Sequence, residues 1–493
     1  MISNSLAPSW LTVPRDANAL AAPVWSQNSV RAASGVLEIA GVSAVEIARQ
    51  FGTPVYAMDE ADVRDRARLA HDSFTREFAR IGSSAKVYYA GKAFLCTEVA
   101  RWVTEAGLNI DVCSGGELAV ALAAGVAPDR LGFHGNNKSL AEIDRAVGAG
   151  VGVLVVDSII EIERIAEAAT RHGVVQSVRL RINSGVLAHT HEYLATARED
   201  QKFGITLADA ADAVAAIRAQ RSLRFLGLHS HIGSQIFGTD GFAEAAYRLL
   251  ELHASLLQGG PIPELNLGGG FGIAYTSIDV ALPLEQIAAG LADIVARECA
   301  RLGIPVPIVA VEPGRSIVGP STSTLYTVGT IKDVLVDGTA TRKYVSIDGG
   351  MSDNVRPALY AADYSVRIAG RASAAAPVLV RIAGKHCESG DIVVHADYLP
   401  GDVRPDDIVA VAATGAYCWS LASNYNYLGR PPVVAVRDGV ARVIVRGETE
   451  AELLSRDAGI STSSITGLVK ETGLLKENEL LKETGPAKEE ESR

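Results

Sequence analysis

Several side chains with reactive chemistry stand directly after short apolar runs, and Lys92 is the first of them. It lies at the end of the run KVYYAGKA. Burial at the end of a strand disfavours the charged ammonium form, and the neutral amine is a nucleophile toward an aldehyde. The same position could instead hold a lysine paired with a carboxylate, and Lys92 taken alone favours neither interpretation.

The segment EPGRS, residues 312–316, places a carboxylate and a guanidinium three residues apart. Glu312 and Arg315 could simply form an ion pair. In a cofactor pocket they could act separately, because Glu312 could keep a pyridine nitrogen protonated and Arg315 could bind a phosphate or carboxylate. A protonated pyridine ring is a strong electron sink, so separate roles would suit a reaction that leaves a carbanion.

His231, in the segment HSHIGS, is a candidate for stacking on a flat ring. It could also be a polar loop residue, or it could bind a metal ion together with His229. A zinc site needs at least three protein ligands. Because the sequence suggests no third ligand, no metal site is predicted.

Three consecutive glycines, Gly268, Gly269 and Gly270, follow another apolar run in LGGGFG. Without side chains at these positions, backbone N–H groups can approach a phosphate closely. The segment does not match G-x-G-x-x-G, so a tight turn is the better explanation when it is taken alone. A phosphate site becomes the favoured interpretation if the run is a late strand of a β/α barrel.

These candidates depend on eight apolar runs that alternate with helical stretches rich in Ala, Leu and Glu. The runs cover residues 86–93, 109–116, 130–137, 151–158, 177–185, 225–234, 264–272 and 309–316. Continuous apolar runs are typical of buried parallel strands, and eight β/α units predict a (β/α)8 TIM-like barrel of the α/β class. Because the loops after all barrel strands meet at one end, the candidate residues are expected to share one pocket.

The sequence pattern changes after Arg315, where strand-like segments alternate with Gly, Pro and Asp turns. We therefore expect a mostly β, barrel- or sandwich-like domain over residues 316–457, with residues 1–50 packing against it and 51–315 forming the barrel. Residues 458–493 carry a loose, charged LVKETG-like repeat and are expected to be a solvated tail. A short segment that docks on a partner is the alternative for this tail.

Composition excludes several classes of protein. The net charge of −11 argues against a nucleic-acid partner, and five scattered cysteines indicate neither a disulfide framework nor a zinc ribbon. The N-terminus does not resemble a signal peptide. The longest apolar stretch, residues 146–156, is shorter than the ~20 residues of a membrane span. A cytoplasmic protein that does not enter a membrane is expected.

Ten motifs in order resemble those of diaminopimelate decarboxylases. They are YAGKA, DVCSGGEL, HGNNKS, AHTHEY followed by KFG, GLHSHIGSQI, NLGGGFG, EPGRSIVG, DGGMSDNVRPALY, CESGD and GAYCWSLASNYN. These enzymes belong to the fold-type III pyridoxal-phosphate family, to which alanine racemase and ornithine decarboxylase are related. The resemblance runs from about Gly52 to about Leu454 and implies decarboxylation of meso-diaminopimelate to L-lysine with pyridoxal 5'-phosphate as cofactor.

The resemblance also implies roles for the candidate residues. Lys92 resembles the lysine that forms a Schiff base with the cofactor, His231 the residue that stacks on its ring, and Glu312 the partner of its pyridine nitrogen. The residues that resemble the phosphate-binding groups are Ser234, Gly268, Gly269, Gly270 and Arg315.

Other motif residues imply a substrate site that is shared between subunits. Cys387 resembles a proton donor that reaches in from a second subunit, so a homodimer is implied. The residues that resemble substrate and cofactor contacts are Arg356, Tyr360 and Tyr417. The far end of diaminopimelate carries an ammonium and a carboxylate, which Glu388 and the arginines Arg315 and Arg356 could bind.

Three alternatives remain open. A decarboxylase for ornithine, arginine or carboxynorspermidine is the nearest, although ornithine ends in an ammonium and would need only acidic partners. An amino-acid racemase of this architecture carries an arginine in place of Glu312. A catalytically silent binding or regulatory homologue would be expected to lack Lys92, Glu312 or Cys387. The sequence departs from many relatives at Ser184, in place of proline, and at Gln201, in place of serine.

Overall fold

The N-terminal part of the chain forms a small antiparallel sheet in the computed structural model, which describes residues 4–186, 201–336, 338 and 340–460. This sheet and the elements after it are β1 (Ser29–Arg31), β2 (Leu37–Ile39), β3 (Val42–Ser43), α1 (Ala44–Phe51) and β4 (Val55–Asp59). Trp25 and Leu37 share a buried apolar cluster with Leu325, so this segment packs against the C-terminal part of the chain.

A ring of parallel strands follows in the described part of the chain. The strands are β5 (Ala85–Ala90), β6 (Asn109–Val112), β7 (Leu131–Phe133), β8 (Val153–Val156), β9 (Gln176–Asn183), β10 (Ile205–Thr206), β11 (Leu223–His229), β12 (Glu264–Gly269) and β13 (Ile308–Glu312). Their order is β9-β11-β12-β13-β5-β6-β7-β8, β8 pairs back to β9, and β10 lies beside β9. Each of the eight predicted runs overlaps one strand of this closed barrel, so the predicted (β/α)8 barrel is confirmed.

Helices surround the barrel. They are α2 (Glu60–Arg80), α3 (Thr97–Glu105), α4 (Gly115–Ala123), α5 (Leu140–Ala149), α6 (Ile159–His172), α7 (Ala210–Ala219), α8 (Asp240–Leu256) and α9 (Leu284–Leu302). Local chemistry sets their ends: Ser139 and Glu142 form a capping box at the start of α5, and Gly150 ends that helix in the left-handed conformation. None of the helices in the described ranges has both the length and the apolar character that a bilayer crossing requires.

A mostly β domain follows the barrel, as predicted. Its elements are α10 (Arg315–Val318), β14 (Thr322–Val336), β15 (Ala340–Ile347), α11 (Arg356–Tyr360), β16 (Val366–Ile368), β17 (Pro377–Ala383), β18 (Ile392–Pro400), β19 (Ile408–Val411), β20 (Val433–Arg437), β21 (Val440–Val445) and α12 (Glu450–Leu454). The sheet order is β18-β17-β15-β14-β4-β20-β21, and β19 pairs with both β14 and β16.

The position of β4 differs from the prediction that the barrel domain begins at residue 51. Residues 55–59 pair antiparallel with β14 and parallel with β20, so they form a central strand of the C-terminal sheet. All five residues of β4 are buried, because Tyr56 and Met58 pack into one apolar cluster while Val55 and Ala57 pack into another. The predicted tail lies outside the described residues from position 461 onward, as does the AHTHEY motif.

Candidate active site

Lys92 lies in a short 3-10 turn, Gly91–Ala93, directly after β5 and at the mouth of the barrel. Its side chain is accessible in a cavity of about 520 Å³, although Gly91 and Ala93 beside it are buried. The expected burial of this lysine is therefore wrong. Its amine faces a space that His231 and Glu312 also line, so the barrel brings these three predicted residues together.

Glu312 is the last residue of β13, and its carboxylate is buried at the base of this cavity. The Asn266 side-chain amide donates a hydrogen bond to Oε1 at 2.8 Å, and His229 Nε2 lies 3.0 Å from the same oxygen. Burial by itself would raise the pKa of Glu312, but the charge interaction and hydrogen bond with His229 hold that pKa well below its usual range. The site therefore contains an ionised carboxylate.

Asp111 and two imidazoles surround this carboxylate. His134 Nε2 lies 3.0 Å from Asp111 Oδ1 and 3.8 Å from Glu312 Oε1. Burial, together with the charge of Glu312, raises the pKa of Asp111 well above its usual range, whereas burial lowers the pKa of His134 and of His229 to about 4. The cluster thus combines an ionised Glu312 with an Asp111 whose charged form is disfavoured and with two imidazoles of low pKa.

Metal binding has to be reconsidered for this cluster. Donor atoms of His134, His229 and Glu312 all lie within 4.8 Å of one another. The sequence suggests no third ligand for a pair of His229 and His231. The structure instead groups His229 with His134 and Glu312, and His231 does not belong to this set. The absence of a metal stays a prediction, and the donor set also suits a cationic nitrogen heterocycle facing Glu312.

His231 connects the cavity to the glycine-rich turn. The backbone N–H of Gly269 donates to His231 Nδ1 at 3.3 Å. Burial, with the charge of Lys92 as the second cause, holds the pKa of His231 well below its usual range, so the ring is neutral. A Cβ on Gly268 would lie 2.5 Å from the Ser230 carbonyl oxygen, and one on Gly270 would lie 2.2 Å from that of Gly233. The turn has no room for side chains at these positions.

Arg315 begins α10 and lies beside the same turn. Its Nη2 donates to Ser234 Oγ at 2.7 Å, its Nη1 donates to the Tyr275 hydroxyl, and its guanidinium lies 4.7 Å from the centre of the Tyr417 ring. Its Nε is buried and has no partner among the described residues. The predicted residues Ser234, Arg315 and Tyr417 are thus brought together, and the ion pair between Arg315 and Glu312 is not formed.

The remaining predicted residues lie in the β domain. Arg356 is buried at the start of α11, where its Nη1 donates to the Tyr364 hydroxyl at 2.6 Å. Tyr360 is 63% exposed. Cys387 and Glu388 are exposed in the loop between β17 and β18, where Glu388 Oε1 accepts hydrogen bonds only from its neighbours Ser389 and Gly390 among the described residues. None of these four residues lines the Lys92 cavity of the same chain.

Three residues near the site were not predicted: Asp111, Asn266 and Tyr275. Asp111 stands in the middle of NIDVCSGG, where a carboxylate inside an apolar strand is an available signal. Asn266 precedes the glycines, and its Oδ1 accepts the N–H of Gly268 at 2.8 Å, which orients the amide toward Glu312. Tyr275 carries no signal in the sequence, because its role depends on two arginines far along the chain.

Comparisons with known proteins agree on one family. Residues 61–319 match the model described as "Pyridoxal-dependent decarboxylase, pyridoxal binding domain". The chain is 53% identical to the diaminopimelate decarboxylase of Mycobacterium tuberculosis over 88% of this chain and 98% of that protein, and 42% identical to that of Bacillus subtilis over 87% and 96%. The crystal structure of diaminopimelate decarboxylase from M. jannaschii in complex with L-lysine matches with a TM-score of 0.81 and 31% identity, over 89% of this chain and 99% of that one.

Proposed function

This chain belongs to the diaminopimelate decarboxylases of the pyridoxal-dependent decarboxylase family, and we propose on that premise how its own residues carry out the reaction. It is a carboxy-lyase that converts meso-diaminopimelate to L-lysine and CO2 with pyridoxal phosphate. The observation that carries the residue assignments is the ionised Glu312 at the base of the cavity into which Lys92 projects.

The residues of the barrel mouth suit pyridoxal phosphate. When bound, this cofactor supplies an electron sink for the pair left by the breaking Cα–carboxylate bond. The Lys92 amine would hold its aldehyde carbon, Glu312 its ring nitrogen, and neutral His231 would stack on the ring. The groups that would hold its phosphate are the unpartnered Nε of Arg315, the Ser234 hydroxyl and the N–H of Gly270. The N–H groups of Gly268 and Gly269 already donate to Asn266 and His231, so these two glycines would contribute the close approach of a backbone without side chains.

Glu312 would keep a proton on the pyridine nitrogen of the bound cofactor. An ionised carboxylate stabilises a neighbouring cation, and the low dielectric of a buried site strengthens that effect. Asn266 donates a hydrogen bond to Glu312, and His229 Nε2 lies 3.0 Å from the same oxygen; both favour the charged form of the carboxylate. This arrangement favours decarboxylation over the racemase alternative, in which an arginine at the same place would disfavour ring protonation.

Substrate contacts come from the β domain. Arg356 is a cation that suits a carboxylate of diaminopimelate, while Arg315 is assigned to the cofactor phosphate, and Tyr360, Tyr417 and Glu388 supply further polar contacts. Cys387 would return a proton to Cα after CO2 leaves. Since Cys387 and Glu388 lie away from the cavity of their own chain, we propose that they serve the cavity of a partner subunit in a homodimer.

Further proposals concern organisation and location. We propose that residues 1–50 and 316–457 form one β domain that supports the barrel, with β4 inserted into its sheet. We also propose that the enzyme works in the cytoplasm, which suits its five free cysteines.

The test of function is an assay of the purified protein with pyridoxal phosphate and meso-diaminopimelate. Lysine and CO2 are expected in equal amounts, and the Lys92→Ala variant should form neither at a comparable rate. Ornithine, arginine and carboxynorspermidine belong in the same panel. Release of CO2 from ornithine, but not from diaminopimelate, would overturn the substrate assignment.

A further inference from the structure

Two buried guanidiniums meet at the boundary between the barrel and the β domain. Arg315 is 8% exposed and Arg356 is 6% exposed. Buried charges are normally paired, yet among the described residues no carboxylate lies within 4.0 Å of either guanidinium. Their hydrogen bonds to side chains go to the neutral hydroxyls of Ser234, Tyr275 and Tyr364. Two uncompensated positive charges in one buried region indicate that anions complete the site.

Tyr275 lies between these two cations. Its hydroxyl accepts a hydrogen bond from Arg315 Nη1, while the Arg356 guanidinium carbon lies 4.8 Å from the centre of its ring. An aromatic face attracts a guanidinium at this distance, which lowers the cost of holding it without a counter-ion. One side chain thus contacts Arg315 through its oxygen and Arg356 through its π face.

The backbone and ring of Tyr275 are themselves held in place. Its N–H donates to Asp279 Oδ2 at 2.9 Å, and its carbonyl oxygen accepts from Ser365 Oγ at 3.1 Å. Its ring packs edge-on against Tyr364, with ring centres 5.1 Å apart at 75°. Because Tyr364 also bonds to Arg356, the two tyrosines orient that guanidinium from two directions. A residue fixed this way can set the positions of its partners.

We propose that Tyr275 is a positioning residue. Its hydroxyl holds Arg315 for the cofactor phosphate, and the face of its ring holds Arg356 for a substrate carboxylate. This inference rests on the proposed roles of the two arginines. It predicts that the two functions can be separated at a single position. Loss of the hydroxyl should weaken cofactor binding alone, and loss of the ring should weaken the binding of both cofactor and substrate.

Four variants test this separation. Tyr275→Phe removes only the hydrogen bond to Arg315, and Tyr275→Leu also removes the ring. Tyr364→Phe removes the hydrogen bond to Arg356 and a long 3.5 Å contact with the Cys418 thiol. Tyr344→Phe is the matched control, because it removes a tyrosine–arginine hydrogen bond (3.3 Å, to Arg381) in the β14–β15–β17 part of the sheet. The readouts are the Kd of pyridoxal phosphate, from absorbance titration of the apoenzyme, and the KM for diaminopimelate at saturating cofactor.

Tyr275→Phe should raise the cofactor Kd about tenfold, as expected for one hydrogen bond to a charged group, and leave the KM within about twofold. Tyr364→Phe should raise the KM about tenfold and leave the cofactor Kd within about twofold. Tyr275→Leu should raise both values about tenfold or more, and Tyr344→Phe should change neither. In all four variants kcat at saturation should stay within about threefold, because none of these groups touches the reacting atoms.

A Tyr275→Phe variant with an unchanged cofactor Kd would refute the proposal, as would one in which Kd and KM rise together. The phenylalanine pair decides the matter even if Tyr275→Leu fails to fold, which its melting curve would reveal. Wild-type protein that binds pyridoxal phosphate without forming lysine would instead overturn the proposed substrate. In that event the cofactor titration alone would still decide whether Tyr275 positions Arg315.

Discussion

Substitution of Gly270 by alanine should damage the phosphate cradle in a way that can be calculated. Its φ is +100°, a conformation in which an L-residue costs about 1–2 kcal/mol. Its Cβ would lie 2.2 Å from the Gly233 carbonyl oxygen, whereas real Cβ atoms keep at least 3.0 Å from such atoms. The backbone segments at Gly233 and Gly270 must therefore separate by about 0.8 Å. Such overpacking adds about 1–3 kcal/mol.

Gly303→Ala is the matched control for this variant. Gly303 has a φ of +65° after α9, and a Cβ there would meet nothing within 4 Å. It should therefore cost only the conformational strain, about 1 kcal/mol in the free energy of unfolding. The difference between the two variants isolates the effect of the clash.

The functional consequence follows from the neighbour of Gly233, which is Ser234. A shift approaching 1 Å in a binding group can reduce its effect about 100-fold, so the cofactor Kd of Gly270→Ala should rise roughly 30- to 100-fold. Gly303→Ala should bind the cofactor like the wild type. Absorbance titration of the apoenzyme measures both. Wild-type cofactor affinity in Gly270→Ala would refute the assignment of this turn to the phosphate.

Three further predictions concern charge and assembly. Glu312→Gln should lower kcat about 10²- to 10³-fold, because a neutral amide cannot stabilise the proton on the cofactor ring. The absorbance of bound cofactor should remain, and an unchanged kcat would contradict the role of Glu312. Burial raises the pKa of Asp353 to about 7, so the folded state binds the extra proton between pH 4 and 7 and the free energy of unfolding should fall as pH rises through that range. Urea titrations should show this slope reduced in Asp353→Asn, and an equal slope in both proteins would exclude Asp353 as its source. Mixing the inactive Lys92→Ala and Cys387→Ala variants should restore about a quarter of wild-type activity. Half of the randomly formed dimers would be mixed, and each mixed dimer would contain one intact site out of two. No recovery after verified subunit exchange would count against sites shared between subunits.

The barrel could be predicted from local pattern because its strands are covered by helices and read as apolar runs. The direction of those runs also placed Lys92, His231 and Glu312 at a common end, since all parallel strands of a barrel end on the same side. Their meeting in one cavity therefore needed no knowledge of particular contacts. The same logic explains the grouping of the glycine turn with Ser234 and Arg315.

Other features depended on contacts that local pattern does not encode. The placement of β4 in the C-terminal sheet follows from pairing with β14 and β20, more than 250 residues away along the chain. The charge states of Asp111 and Glu312 depend on burial and on imidazoles contributed by other strands.

The sequence by itself thus determined the barrel, the family motifs and the end of the barrel at which the reactive side chains lie, because strand periodicity and strand direction are local properties. Only the tertiary structure decided that Tyr275 contacts both arginines and that β4 lies in the C-terminal sheet. Those outcomes depend on how the barrel and the β domain pack together, and packing between distant segments is a property of the folded chain.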